Sequence, residues 1–131
     1  MISLPQKPQA LFFNLPRDAR CEKIERFLQS KGVSVRHIPP ADHGHPIGFL
    51  LGLPGYEAAA ARSFFGFGEE MLLMSGFDRS LLNELLTFFS REKLRRIELK
   101  AMLTPTNAGW SAVELHSRLS AERRMMSGLK K

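Results

Sequence analysis

Cysteine is all but missing from this 131-residue chain. Cys21 stands alone, so no internal disulfide can form, and a reducing compartment is the expected setting. It falls in an amphipathic helical stretch with no activating base near it in sequence, which makes it a helix residue before a nucleophile. Tyrosine and tryptophan occur once each, as Tyr56 and Trp110, and the phenylalanines fall mostly on apolar stripes. That scarcity argues against a surface that stacks single-stranded bases. Long apolar runs are missing too: no stretch approaches the roughly 18 residues a membrane span needs. The opening MISLPQKPQALFF has no charged n-region and no h-region of a signal peptide, so the expected location is the cytoplasm, without membrane. Gly-x-Gly-x-x-Gly, P-loop and Gly-x-Ser-x-Gly motifs are all absent. Ser75 can be grouped with His37 and Asp42 as nucleophile, base and acid, but no elbow motif supports that grouping, and catalysis is not expected.

What is present is an ordinary globular composition, 44% hydrophobic and 24% charged, with a basic balance. Lysine and arginine number 19 against 13 acidic residues, a formal charge of +6. Such a balance favours anionic partners. Arg91, Lys93, Arg95, Arg96 and Lys100 crowd one helix–strand junction, and Arg118, Arg123, Arg124, Lys130 and Lys131 crowd the C-terminus. The surface set Arg95, Arg96, Arg123 and Arg124 offers a backbone-only, salt-sensitive contact with nucleic acid. A solvated charge face at helix C-termini explains the same residues.

Two apolar runs organise the chain. Ala10–Phe13 and Met71–Met74 show no polar alternation, as expected of strands buried on both faces. Each is followed by a helical stripe. Cys21, Ile24, Phe27 and Leu28 mark the first, ended by Gly32; Leu81, Leu82, Leu85, Phe88 and Phe89 mark the second, capped by Asp78 or Ser80. Val33–Ile38 and Arg96–Leu103 then alternate, as strands nearer an edge do, with Ile97, Leu99, Ala101 and Leu103 on one side and Glu98 and Lys100 on the other, wet side. Residues 47–53 read as a short helix or extended segment, and 56–65 as a helix. Asn107 is the expected cap of a last helix carrying Trp110, Val113, Leu115 and Leu119. The basic end is expected to fray.

The halves align at an offset of 61 residues, which sets Leu11 on Leu72, Ile24 on Leu85, Phe27 on Phe88, Gly48 on Gly109 and Phe49 on Trp110. This predicts one domain over 1–131 built from a duplicated β-α-β-α unit: a degenerate repeat at 10–53, a linker helix at 54–70, a better-preserved repeat at 71–123 and a basic tail at 124–131. The expected fold is α/β, a four-stranded parallel sheet of order 2-1-3-4 with helices on both faces. A ferredoxin-like α+β sandwich is the alternative, and it leaves one sheet face bare.

The C-terminal half carries an apolar strand, a Ser75-Gly76-Phe77 turn and Lys100-Ala101-Met102-Leu103-Thr104-Pro105-Thr106-Asn107-Ala108-Gly109-Trp110. In these residues it resembles a bacterial family of short domains of unknown function, marked by Lys-x-x-Leu-Thr-x-x-Asn-x-x-Trp. The likeness covers about half of the chain; the first half keeps the outline without the Thr, Asn and Trp signature. The resemblance implies a bacterial origin and a shared domain, and it carries no chemistry.

Two places invite a ligand. In a parallel sheet the crevice at the strand ends would gather Asn14, Leu15, Ser75, Gly76, Thr104, Thr106 and Asn107, where backbone N–H groups can receive a small anion. The same residues also serve as turn and cap residues. His37, Asp42, His43 and His45 lie within one short span, and His-x-His can chelate a transition metal. The sequence favours a non-enzymatic regulatory or interaction module, a homodimer or a binder of another protein through an edge strand or the 54–68 segment. Its alternatives are an anion- or metal-binding domain and weak nucleic-acid binding. No resident cofactor is indicated.

Overall fold

The computed structural model describes residues 7–59 and 66–129. Its elements are β1 (Gln9–Phe13), α1 (Ala19–Ser30), β2 (Ser34–Ile38), α2 (Ile47–Leu50), β3 (Met71–Ser75), α3 (Arg79–Arg91), β4 (Leu99–Met102) and α4 (Ala112–Leu129), with 3-10 turns at Pro40–Asp42 and Asn107–Gly109. The strands form one sheet in the order β2-β1-β3-β4, as their burial predicts. β3 is buried along its whole length and β1 along all but its first residue.

The strand directions correct one expectation. β1 runs parallel to β2 and β3 to β4, but β1 and β3 are antiparallel, with Leu11 beside Leu73 and Phe13 beside Met71. The sheet is therefore mixed. An apolar run covered on both faces looks the same whichever way its neighbour points, so burial fixes the position of these strands and leaves their sense open. The ferredoxin-like alternative fails because neither face is bare. Ala10, Phe12, Leu72 and Met74 pack under α1 and α3 through Ile24, Leu28, Leu85 and Phe89. Leu11, Phe13, Met71 and Leu73 pack on the other face with Ile47, Leu50, Ala112 and Leu115.

Residues aligned by the offset meet across the antiparallel pair. The rings of Phe27 and Phe88 stack at 4.3 Å between α1 and α3. Asp18 and Asp78 cap those helices, each taking a backbone N–H on its side chain (from Cys21 at 2.9 Å and Leu81 at 2.8 Å). Both helices end in a left-handed residue. At Gly32, φ is 82°, and Val33 N–H donates to Leu28 O; at Lys93, φ is 56°, and Leu94 N–H donates to Phe89 O. The offset holds along the helices alone: in the central strands it sets Leu11 on Leu72, which pack on opposite faces of the sheet, and past the helices 31–33 join α1 to β2 whereas 92–98 join α3 to β4. Pro46 pairs with Ser111 in an isolated antiparallel bridge.

Other boundaries differ for local reasons. β4 is shorter than 96–103, and Ile97 packs on the α1/α3 side while Leu99, Ala101 and Leu103 pack on the other. Asn107 does not cap α4; Ser111 does, its hydroxyl taking Glu114 N–H at 3.0 Å. Residues 54–59 and 66–70 are not helical, and 60–65 of the expected linker helix lie outside the described residues. The basic end is helical through Leu129. Among the described residues no helix is long and apolar enough to cross a membrane.

Lys93 holds a left-handed backbone at the place where the first half uses glycine. Replacing Lys93 with Gly is expected to stabilise the fold by about 0.5–1 kcal/mol, because relief of Cβ strain exceeds the added entropy of the unfolded chain. A urea midpoint that rises at unchanged m-value would show it, and a fall would contradict it.

Candidate functional site

A partly enclosed, mainly apolar hollow is built by the end of α3 and its connection to β4. After Arg91 the left-handed turn at Lys93 reverses the chain, which tucks Leu94 and Ile97 beneath the helix. These two residues, with Leu86, Phe89, Ser90, Arg96 and Lys100, line a cavity of about 290 Å³. Lys100 faces it because β4 alternates: Leu99 serves the far side of the sheet, and Lys100 the side of α3.

Lys100 is half-buried, and its Nζ donates to Ile97 O at 2.7 Å. Desolvation holds its pKa below the ordinary lysine value; the Arg96 charge pushes the same way, and Glu98 opposes it. Arg96, at the rim, reaches both carboxylate oxygens of Glu98 at 3.3 Å. The Glu98 carboxyl is lowered in turn, first by that hydrogen bond and then by the arginine charge. Apolar walls, one partly dehydrated ammonium and a guanidinium at the mouth suit a small anion with an apolar body. A larger hollow of about 740 Å³, lined by Phe27, Lys31, Arg79 and Asn83 among others, is a surface groove. Its Lys31 is spent on Glu84 at 2.9 Å. Enclosure outweighs size, so the Lys100 cavity is the stronger site.

The strand-end residues do not form one crevice. The antiparallel centre puts Asn14, after β1, at the opposite edge from Ser75 and Gly76, after β3; Ser75 sits beside Gln9 instead. Asn14, at φ 64°, ties down the chain after the linker by donating to Phe67 O at 2.6 Å and Glu69 O at 3.0 Å. Ser75 is buried and its hydroxyl has no hydrogen-bond partner among the described residues, while Gly76 turns the chain at φ 77°. Thr104, Thr106 and Asn107 follow β4 on the Ser75 edge. Thr104 and Asn107 bond each other reciprocally (backbone N–H to side chain at 2.9 and 3.0 Å), Asn107 Nδ2 donates to Met102 O, and Thr106 is exposed. These contacts close a loop. Trp110 is partly buried, with the Arg118 guanidinium 4.5 Å over its ring.

The histidine span is also divided. His37 lies against Phe12 on the α1 side of the sheet and pairs with Glu25 at 3.0 Å. His43 lies on the other side, stacked on Phe67 at 4.5 Å, with Phe67 stacked on His116 at 4.3 Å. His45 Nδ1 accepts from Ala59 N–H, and its Nε2 lies 3.5 Å from Asp42. The four therefore do not surround one ion. Of the basic surface residues, Arg95 pairs with Glu70, Arg96 with Glu98 and Arg123 with Glu69, while Arg124 is exposed. The Glu69 carboxyl is lowered, foremost by hydrogen bonds from His116 and Arg123.

Sequence reasoning placed Lys100 on a wet strand face and missed the cavity. The available signal was its position at the head of the Lys-x-x-Leu-Thr pattern. It also assigned Cys21 no partners, although Glu25 and His37 lie beside it.

Burial is the leading cause that lowers the His43 pKa, against smaller opposing effects of the Ile38 carbonyl and Asp42. A folded state that holds this imidazole neutral binds fewer protons than the unfolded chain below about pH 6.5. Its contribution to stability is thus complete above that pH and falls as acid is added. Denaturant titrations at pH 7.5 and 5.5 are expected to show a smaller acid loss in His43→Phe than in the wild type; equal losses would contradict this.

No curated protein and no solved structure matches the chain. Residues 70–126, the C-terminal half that holds β3, α3, β4, most of α4 and every residue lining the Lys100 cavity, match the family model described as Domain of unknown function (DUF3783).

Proposed function

We propose that this protein is a non-enzymatic binding module, with two repeats of one strand–helix–strand–helix unit, that takes a small carboxylate with a short apolar tail into the Lys100 cavity. The observation that carries the reading is a half-buried ammonium on a mostly apolar wall. Its one described hydrogen bond goes to Ile97 O, and an ammonium has three N–H donors. An anion supplied at that point recovers part of the cost of desolvating the charge. Leu86, Phe89, Leu94 and Ile97 would hold the tail, and about 290 Å³ lies at the small end of ligand pockets. The lining includes no carboxylate or imidazole to shuttle a proton, which supports binding rather than turnover.

Titration with isovalerate, followed by amide NMR shifts, is expected to move Leu86, Phe89, Ile97 and Lys100 together. Lys100→Met is expected to keep the fold and weaken binding by about 10- to 100-fold, the worth of one charge-assisted hydrogen bond. No shifts up to about 10 mM ligand, a concentration worth only a few kcal/mol, would overturn the reading, as would unchanged affinity in Lys100→Met.

A further inference from the structure

Cys21 and Glu25 stand four residues apart on α1, so they share one face of the helix. α1 crosses from β1 to β2, and β2 sets His37 in register with Phe12 on the sheet face beneath that helix. One donor atom from each of Cys21, Glu25 and His37 then lies within 4.8 Å of the other two. His37 Nε2 is 3.0 Å from Glu25 Oε1, and the Phe12 ring meets the imidazole edge-on at 5.1 Å. Cys21 is 1% exposed, whereas the Glu25 and His37 side chains are 28% and 16% exposed. The cluster thus has a closed thiol floor and a mouth open to solvent.

We propose that Cys21, Glu25 and His37 form a binding site for a divalent ion of the zinc class, with a fourth position left for water. Thiolate, imidazole and carboxylate are the ligand types zinc takes, three of them from protein where one position stays open. Bonds of about 2.0–2.3 Å put neighbouring tetrahedral ligands about 3.3–3.8 Å apart, so the cluster needs to contract by only about 1 Å. Binding releases the thiol proton to solvent, while the imidazole gives a lone pair and the carboxylate is already charged. Thiolate and carboxylate together neutralise the dication.

The second half supplies a contrast. Where α3 crosses β3 and β4, the places corresponding to Cys21, Glu25 and His37 hold Leu82, Leu86 and Met102, the last in register with Met74 as His37 is with Phe12. Three metal-ligating side chains at one junction, where its counterpart is wholly apolar, are not what packing alone requires. The same cluster read as a cysteine nucleophile with a histidine base fares worse. The thiol is closed off from solvent behind Glu25 and His37, which leaves a substrate no approach to it.

The test is a Co(II) titration of the tag-free full-length protein. One equivalent is expected to give the visible bands of tetrahedral cobalt and a near-ultraviolet thiolate charge-transfer band, both bleached by zinc. Cys21→Ser is expected to lose the charge-transfer band. Glu25→Gln and His37→Gln, at partly exposed positions that leave the core intact, are expected to weaken cobalt binding by about tenfold or more. A loop variant, His45→Asn, is expected to keep the spectrum. A wild type without a thiolate band overturns the site, as does a band that survives Cys21→Ser or one that disappears in the loop variant. Undiminished affinity in both Glu25→Gln and His37→Gln does the same.

Discussion

The antiparallel pairing of β1 with β3 is the constraint on which the rest depends. Both strands are covered on both faces, so their ten residues spend all their apolar surface on the core, and the ladder between them joins the two halves. Everything else follows as two arms. Each half leaves the centre by a helix on the same face, returns through an edge strand parallel to its own central strand, and then sends a helix to the opposite face. Because the central strands point in opposite directions, equivalent segments end at opposite edges. They meet at Phe27 with Phe88 and Lys31 with Glu84 on one face, and at Pro46 with Ser111 on the other.

This geometry decides where ligands can sit. An all-parallel sheet concentrates its strand ends on one edge, and a crevice there would have brought Asn14 to Ser75. Here those residues do separate work. Asn14 holds the chain at Phe67 and Glu69, and Thr104 with Asn107 closes a loop after β4. Histidines close in sequence are parted for a similar reason: a strand sends successive side chains to opposite faces, so His37 goes under α1 while the chain beyond Ile38 carries His43 to the other layer.

Much of the architecture was legible in the sequence. Unbroken apolar runs marked the central strands, alternation marked the edges, and those two facts fixed the order β2-β1-β3-β4. Asp78 and Gly32 marked helix ends by the ordinary chemistry of caps. Strand sense was not legible, since a doubly buried strand carries no polar face to orient it. The end of α3 was hidden because Lys93 takes a conformation that sequence assigns to glycine. Sites were less legible still. Lys100 read as an outward residue of an alternating strand, and nothing local shows that α3 roofs that side. Cys21, Glu25 and His37 span a helix and its return strand, so their meeting needs the crossover that only the fold supplies.

Two differences, connection length and side-chain choice, separate the arms that carry the two ligand readings. In the first, 31–33 carry the chain straight from α1 into β2, and Val33 fills the space under the helix end. In the second, 92–98 take a longer route, and Leu94, Arg96 and Ile97 from that route wall a cavity that also uses Leu86. Leu86 corresponds to Glu25, the central member of the first arm's polar trio. One position on an otherwise similar helix therefore faces tight packing and a thiol in one arm, and an apolar hollow with a lysine in the other. Connection length accounts for the hollow, because four extra residues move the chain outward without disturbing the strand register. Side-chain choice accounts for the trio, because α3 and β4 carry leucines and methionine at their own junction. A fold that keeps its centre fixed by the β1–β3 ladder can vary these two outer junctions independently, at little cost to the core.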